Sequence, residues 1–490
     1  MRSESGRVRV DGPSYRCAGL AAVALALALQ AFFFHRGLYS ISWDEAGRTL
    51  DAWAWVNHQP TVGDWLPLHR VVVGSALRLY PDLVVTPRVV SGAFGVGAML
   101  AVGWLAQALF RDRRTTTVAL ILAAAFSQRV ALSLAPLSCI LFAPFIVASL
   151  AALASWLRSD RNSVLALSIG FLMAAQSLRF EGWLFAAFVV AAVFLHRYSS
   201  DSSTRRTLAW SSAVALALAL VPLAWVLERV ADGIALLGPV STVRGETPPD
   251  VLTRNPLVQF VLRNGRSLNL IGVVALVFLL RGRERRFIAL CSLGGFGPLI
   301  ALSSTMLLAG AGQTGPSWRM TAVWGLLLLP FTAALLTRAW RTGALSANER
   351  RVSCVATALL VGVFVADTEK IRRESAPWAF PPTDRELGAV IEDFVRRKPA
   401  TRVLIESGAF DYLNVLVASQ HPHAFVMNEG PPTAPDLPIL EREPGLTPLV
   451  CDGRFDLLVF HTKGDWSWLD GRSEARAIGR FGDWAAYLCE

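Results

Sequence analysis

Charge is scarce in this chain. Of its 490 residues only 17% are Asp, Glu, Lys or Arg against 53% hydrophobic, and the mean hydropathy is +0.44. A soluble globular protein carries about 25% charged residues, so a water-soluble fold is excluded and a polytopic membrane protein is implied. Cysteine is scarce too. The six present include no Cys-x-x-Cys pair, which excludes zinc and redox sites built on that spacing. Cys17, Cys139, Cys291 and Cys354 read as small apolar membrane residues. Cys451 and Cys489 fall in a polar tail, where an oxidising compartment would permit a disulfide, although spacing alone leaves the geometry open. Internal repeats and low-complexity runs are absent beyond the apolar spans. The first apolar run lacks an Ala-x-Ala type ending and leads into Trp43-Asp44-Glu45, so it reads as a retained anchor rather than a cleaved signal peptide.

What is present is a series of apolar runs. A bilayer core needs about 20 apolar residues per helical span, and about eleven stretches qualify, near 17–35, 88–110, 114–132, 136–157, 163–178, 180–196, 207–228, 267–281, 286–309, 318–338 and 352–366. Every second connection is basic: Arg111 with Arg113 and Arg114, Arg158 with Arg161, Arg197 with Arg205 and Arg206, the run RGRERR at 281–286, and Arg338 through Arg351. Cytoplasmic loops hold the excess of Lys and Arg. The N-terminus is therefore expected inside, and the Asp44-Glu45 loop and everything after the eleventh span outside. The net charge of +10 is mostly this orientation signal and gives no support for nucleic acid as a partner. Residues 367–490 alone carry 14 basic and 20 acidic side chains.

The expected fold class is mainly α: a membrane domain over 1–366 with large outward loops at about 36–87 and 229–266, then an outward soluble α/β module over 367–490. In the first loop Trp43, Leu50 and Trp53 with Ala46 and Ala54 share one helical face, and LHRVVVGSALRLY at 68–80 forms a second short amphipathic helix. Both are expected to lie flat on the bilayer. Pro248, Pro249 and Pro256 forbid one continuous helix in the second loop. In the tail Thr383 to Glu386 matches a capping box ahead of Leu387, Val390, Ile391, Phe394 and Val395 at helical spacing. RVLIE at 402–406, AFVM at 424–427, DLLVFH at 456–461 and WAAYL at 484–488 read as strands, and Gly and Pro between 428 and 448 mark a long exposed connection.

Charged groups against a membrane usually have a functional or paired reason to be there. Asp44 and Glu45 open an aromatic amphipathic helix, where a helix N-terminus favours carboxylates. A carboxylate there suits a general base toward a hydroxyl, or a ligand for a divalent cation. Arg179 and Glu181 stand two apart, a spacing that does not pair on one helix face, so each is expected to find a partner elsewhere. His69 follows Pro67. Five arginines break the charge rule on the outward side: Arg129, Arg254, Arg263, Arg266 and Arg319. Arginine forks match phosphate oxygens and stay charged beside lipid, so a lipid phosphate is the expected anion.

These residues resemble the membrane glycosyltransferases of the GT-C type, in particular the bacterial branch related to protein mannosyltransferases and the aminoarabinose lipid A transferase. The likeness covers about 17–340. It rests on SWDEA in the first loop, on WLPLH, on the Arg-x-x-Ser segment with Arg88 and Ser91, on SQR ending at Arg129, and on WRM followed by Pro330. The resemblance implies an inverting transferase of the bacterial inner membrane that moves a sugar from a polyprenyl-phosphate donor to an acceptor hydroxyl on a glycan, lipid or protein at the outer side. It implies Asp44 as the catalytic aspartate with Glu45 as its usual neighbour; the reading of the residues themselves adds Glu45 and His69 to position substrate or a cation, Arg179 and Glu181 to shape the sugar pocket, and Arg88, Arg129, Arg254, Arg263, Arg266 and Arg319 to hold the lipid phosphate. Where the family commonly has Pro-Pro-Leu-Tyr this chain has Leu66-Pro67-Leu68-His69, and the family's lysine near that site has no match. No metal ligand is carried over, no cofactor is assigned, and a divalent metal is left open. The alternative is a transporter or flippase of lipid-linked sugars, or a non-catalytic scaffold. A transporter places charges near mid-bilayer in broken helices, whereas here they gather at one lip.

Overall fold

The computed structural model describes residues 13–42, 44–59, 61, 65–200, 203–231, 270–280, 284–308, 318–338, 346–375, 380–407, 411–427, 451, 453–462 and 475–489. The described helices are α1 (Pro13–His35), α2 (Asp44–Val56), α3 (Leu68–Leu79), α4 (Val85–Phe110), α5 (Arg113–Ala125), α6 (Ser127–Leu132), α7 (Ser138–Ser159), α8 (Asn162–Gln176), α9 (Glu181–Ser200), α10 (Thr204–Ala231), α11 (Leu270–Leu279), α12 (Arg285–Leu308), α13 (Trp318–Thr337), α14 (Ala347–Glu374), α15 (Pro382–Arg397) and α16 (Tyr412–Ala418). Each of the eleven apolar stretches is helical over most of its described residues. Among the described residues six helices are long and apolar enough to cross a membrane: α1, α4, α7, α9, α10 and α14; α8 and the Ala322–Thr337 part of α13 are shorter apolar helices. The protein is an integral membrane protein.

The stretch expected as a single span at 114–132 is broken. Phe126, at φ −55° and ψ 117°, leaves the helical region and separates α5 from α6. Its ring lies over Gly325 of α13, where an added Cβ would come within 2.3 Å of it. That close packing accompanies the break and leaves the short α6 wholly buried.

Two compact units divide the chain. Residues 1–36, 92–133 and 138–371 form the first, and residues 37–91, 134–137 and 372–490 the second. In the first unit α7 packs along α8, α9 along α12, and α13 along α5 and α11. Outward leucines and valines on α10 and α14 are more than half exposed, Leu216 as much as 70%, as a lipid-facing helix requires.

The second unit joins the first loop to the tail. Its sheet has the order β2-β1-β3-β5-β4, with β1 (Val403–Ile405) parallel to β2 (Phe425–Met427) and β3 (Leu457–His461), and β5 (Trp484–Cys489) antiparallel to β3 and to β4 (Ala475–Phe481). All four expected strands form. β4 is additional: its exposed, Arg- and Gly-bearing sequence ARAIGRF carries no apolar alternation to announce it. One face of the sheet buries Leu404, Val426, Leu458, Phe460 and Tyr487, each worth about 1.5–3 kcal/mol of hydrophobic transfer. α15 buries Leu387, Ile391 and Val395 and packs on α16. The capping box expected at Thr383 does not form. The helix starts two residues earlier, at Pro382 after an N-cap at Pro381, with no side-chain cap, because proline at the first helical position presets φ and lacks an N–H needing a partner. Cys451 and Cys489 are joined by a disulfide, Cα to Cα 5.3 Å.

Candidate active site

The Asp44-Glu45 helix begins on a capping box. Ser42 Oγ accepts from the Asp44 N–H at 3.3 Å, while Glu45 Oε1 accepts from the Ser42 N–H at 3.0 Å and the Ile41 N–H at 2.6 Å. This is a Ser-x-x-Glu capping arrangement in which the serine oxygen meets the second amide after it rather than the third. It separates the two carboxylates by role: Glu45 is 3% exposed and turned back on the backbone, and Asp44 is exposed at the helix N-terminus. Trp43 lies outside the described residues.

One turn on, Arg48 stacks over Trp65 at 4.6 Å. Its spacing four residues from Asp44 puts both on one helix face, a signal the sequence carries but that the basic-loop pattern masks. α3 packs along α2, with Gly74 so close to Trp55 that an added Cβ would meet the ring at 2.6 Å. His69 on α3 is 2% exposed. Burial first, then the Arg48 charge, lower its pKa from 6.5 to about 3, against the opposing pull of the Pro136 carbonyl, so this imidazole is neutral.

Arg88, one turn into α4, donates from Nε to Tyr39 O at 3.1 Å and from Nη1 to Val84 O at 2.6 Å. Ser91 Oγ donates to Pro87 O within the same helix. Glu45 and Arg88 line one narrow cleft with Ser40, Thr49, Phe380 and Asn414.

The first unit holds the other candidates. Arg129, at the α5–α6 break, is fully buried. Its Nη2 donates to Ala124 O at 2.5 Å, while Nε and Nη1 find no acceptor among the described residues. Beside it Ser127 Oγ donates to Asp367 Oδ2 at 2.5 Å. Arg179 and Glu181 do not seek separate partners: Arg179 Nε reaches both carboxylate oxygens at 3.1 Å and Nη2 reaches Oε1 at 2.5 Å. The helical spacing rule does not apply because Arg179 lies in the turn before α9, which begins at Glu181. Arg179 Nη1 also meets Ser138 Oγ at 3.2 Å. Arg319 sits in the first turn of α13. Arg254, Arg263 and Arg266, the Pro248 to Pro256 loop and the connection at 428–448 lie outside the described residues. Among the described residues no group of three or more His, Cys, Asp or Glu is arranged to hold a metal ion.

No family model matches the chain, and no curated protein sequence matches it. Solved structures do. The chain is similar to ArnT from Cupriavidus metallidurans bound to undecaprenyl phosphate, with TM-score 0.61 and 14% identity over 96% of this chain and 97% of that one. It is also similar to the oligosaccharyltransferase AglB from Archaeoglobus fulgidus in complex with an inhibitory peptide and a dolichol-phosphate, with TM-score 0.53 and 12% identity over 83% of this chain. The match spans 64% of the length of the archaeal protein. The fold shared with both is the GT-C fold of polytopic membrane proteins.

Proposed function

We propose that this protein is an inverting glycosyltransferase that moves a sugar from a polyprenyl-phosphate donor to an acceptor hydroxyl at the outer face of the bacterial inner membrane. Arg129 carries the reading: a guanidinium taken wholly out of water with two N–H edges unanswered is costly unless an anion meets it. A phosphate monoanion or dianion offers the bidentate geometry that fork fits. Asp44, exposed and facing the positive end of α2, takes the acceptor proton. The hydroxyl attacks the anomeric carbon in line, inverting it, and the polyprenyl phosphate leaves with Arg129 and Arg319 offsetting its charge. His69 stays neutral and meets a sugar hydroxyl as donor or acceptor, and the Arg179–Glu181 pair presents a fixed polar edge toward the sugar.

The test uses full-length protein in nanodiscs with a radiolabelled polyprenyl-phosphate sugar and its native envelope lipids and glycans as acceptors. Asp44→Asn is expected to bind donor within twofold of wild type and to lose at least a hundredfold in transfer, in line with a general base worth about 10²–10⁴. Arg129→Gln is expected to weaken undecaprenyl-phosphate binding at least tenfold, a charged hydrogen bond being worth about 1.5–3 kcal/mol. Wild-type transfer surviving both substitutions would overturn the reading.

A further inference from the structure

The tail grips the first outward loop at three points, all within the second unit. At the start of α4, Asp82 Oδ1 accepts from the N–H groups of Val84 and Val85, both at 2.8 Å. Gln420 closes the same turn: its Oε1 accepts from Leu83 N–H at 2.8 Å and its Nε2 points to Asp82 Oδ1 at 3.5 Å. Gln420 does so from φ +62°, a left-handed conformation that a non-glycine residue holds only when its surroundings impose it. Arg385 on α15 stacks over the Tyr39 ring at 4.7 Å, and Phe380 lies under the Arg88 guanidinium at 5.6 Å.

These contacts converge on one short chain of bonds. Arg88 holds the Tyr39 carbonyl. Tyr39 leads directly into Ile41 and Ser42, whose amides Glu45 accepts and whose Ser42 hydroxyl fixes the Asp44 amide. A shift of Tyr39 or of the α4 start is therefore passed to the first turn of α2, where a displacement of about 1 Å costs up to ~10²-fold in rate.

We infer that Gln420, Arg385 and Phe380 are positioning residues for Asp44: the tail is the brace that sets the first-loop capping box. This rests on the reading of Asp44 as the base. It assigns the tail a task in the reaction, and its contribution acts through bound backbone rather than through substrate contact.

The experiment compares wild type, Gln420→Ala, Arg385→Ala and Arg385→Lys as full-length proteins in nanodiscs, with hydrogen exchange and steady-state transfer measured on the same samples. In Gln420→Ala the Leu83 amide is expected to exchange about tenfold faster, and in Arg385→Ala the Ile41 and Ser42 amides likewise. In both, kcat is expected to fall about tenfold with donor KM within twofold, because positioning of the base is lost and donor binding is not. Arg385→Lys keeps a cation over the Tyr39 ring and is expected to restore exchange protection and most of kcat. Unchanged exchange at Leu83, Ile41 and Ser42, or a lysine variant as impaired as alanine, overturns the inference. So does a loss confined to donor KM. A wild type that transfers no sugar while these amides still respond as stated sinks the transferase reading and leaves the brace standing. Should Gln420→Ala fail to fold, the Arg385 pair alone decides.

Discussion

At the scale of single residues, two buried titratable groups of the second unit pull stability in opposite directions with pH. His69 is neutral in the folded protein with its pKa near 3, and in the unfolded chain it binds a proton below about 6.5. Acidification through the window from 6.5 to 3 therefore favours the unfolded state, by about 1.4 kcal/mol per pH unit where the difference is complete. Asp384 is 3% exposed, and burial raises its carboxyl from 3.8 to about 6. Asp411 and Asp483 reinforce the rise, and the Asn414 amide and Trp484 indole oppose it. Between 3.8 and 6 the folded state holds a proton that the unfolded chain has lost, so acidification there favours folding. The two slopes oppose each other over most of one window, and the wild type is expected to show little net pH dependence between 4 and 6. Removing either exposes the other. Asp384→Asn should lose thermal stability steadily as pH falls below 6.5, and His69→Gln should gain it as pH falls from 6 to 4. Thermal unfolding of both variants in detergent across pH 4–7 checks the sign, and parallel profiles would refute it.

At the scale of elements, the tip of the β4–β5 hairpin docks on the start of α15. Gly482 has φ +62°, and an added Cβ would lie 2.8 Å from Thr383 Oγ1. Gly482→Ala meets both the left-handed penalty of about 1 kcal/mol and this clash, and should cost about 1–3 kcal/mol by thermal unfolding of the full chain. Gly479→Ala is the control: its nearest neighbours are Phe481 ring atoms at 3.5 Å, ordinary contact, and no loss is expected. An equal loss in both would show that the hairpin tip bears no special constraint. These two elements also mark where the sequence was legible. Apolar runs of α4 and α7 and the β-branched and aromatic stretches of β1 to β3 announce themselves, because a segment that meets protein core or lipid on every side is apolar all round. β4 is an edge strand whose partner supplies its hydrogen bonds, so its own side chains need no pattern. The break at Phe126 packs against Gly325, about 200 residues away, a contact no local pattern announces, and the Ser42–Glu45 capping box, though spelled out as Ser-Trp-Asp-Glu, is outshone by the neighbouring acidic pair. The Arg179–Glu181 pairing was misread for one reason: the helix boundary falls between the two, and boundaries are the least legible feature of a sequence.

At the scale of the whole chain, the units do not follow the sequence division. The boundary read at residue 367 lies near the start of the last segment of the second unit, Arg372, but residues 37–91 group with that tail rather than with the spans. Hydropathy separates polar from apolar segments and is silent on which polar segments pack together, since contacts such as Gln420 with Leu83 span 337 positions. The proposed outward placement of the tail then has a chemical consequence in the Cys451–Cys489 disulfide. Such a bond is rare in a reducing cytosol and persists in oxidising compartments, and the four free cysteines, Cys17, Cys139, Cys291 and Cys354, stand outside the sheet it closes. It joins residues 38 apart in sequence and ties the end of β5 to the start of the β3 segment, which in the chain-entropy account is worth about 4 kcal/mol. Protein extracted from membranes under a thiol-blocking alkylator, digested without reductant, should yield the Cys451 and Cys489 peptides joined. Cys451→Ser should lower the unfolding temperature as much as reductant does, and reductant should add nothing further to that variant. Alkylated, unjoined Cys451 and Cys489 in freshly prepared membranes would put the tail in the cytosol, and the base on α2, which shares its unit, would lose its claim to an outer-face reaction.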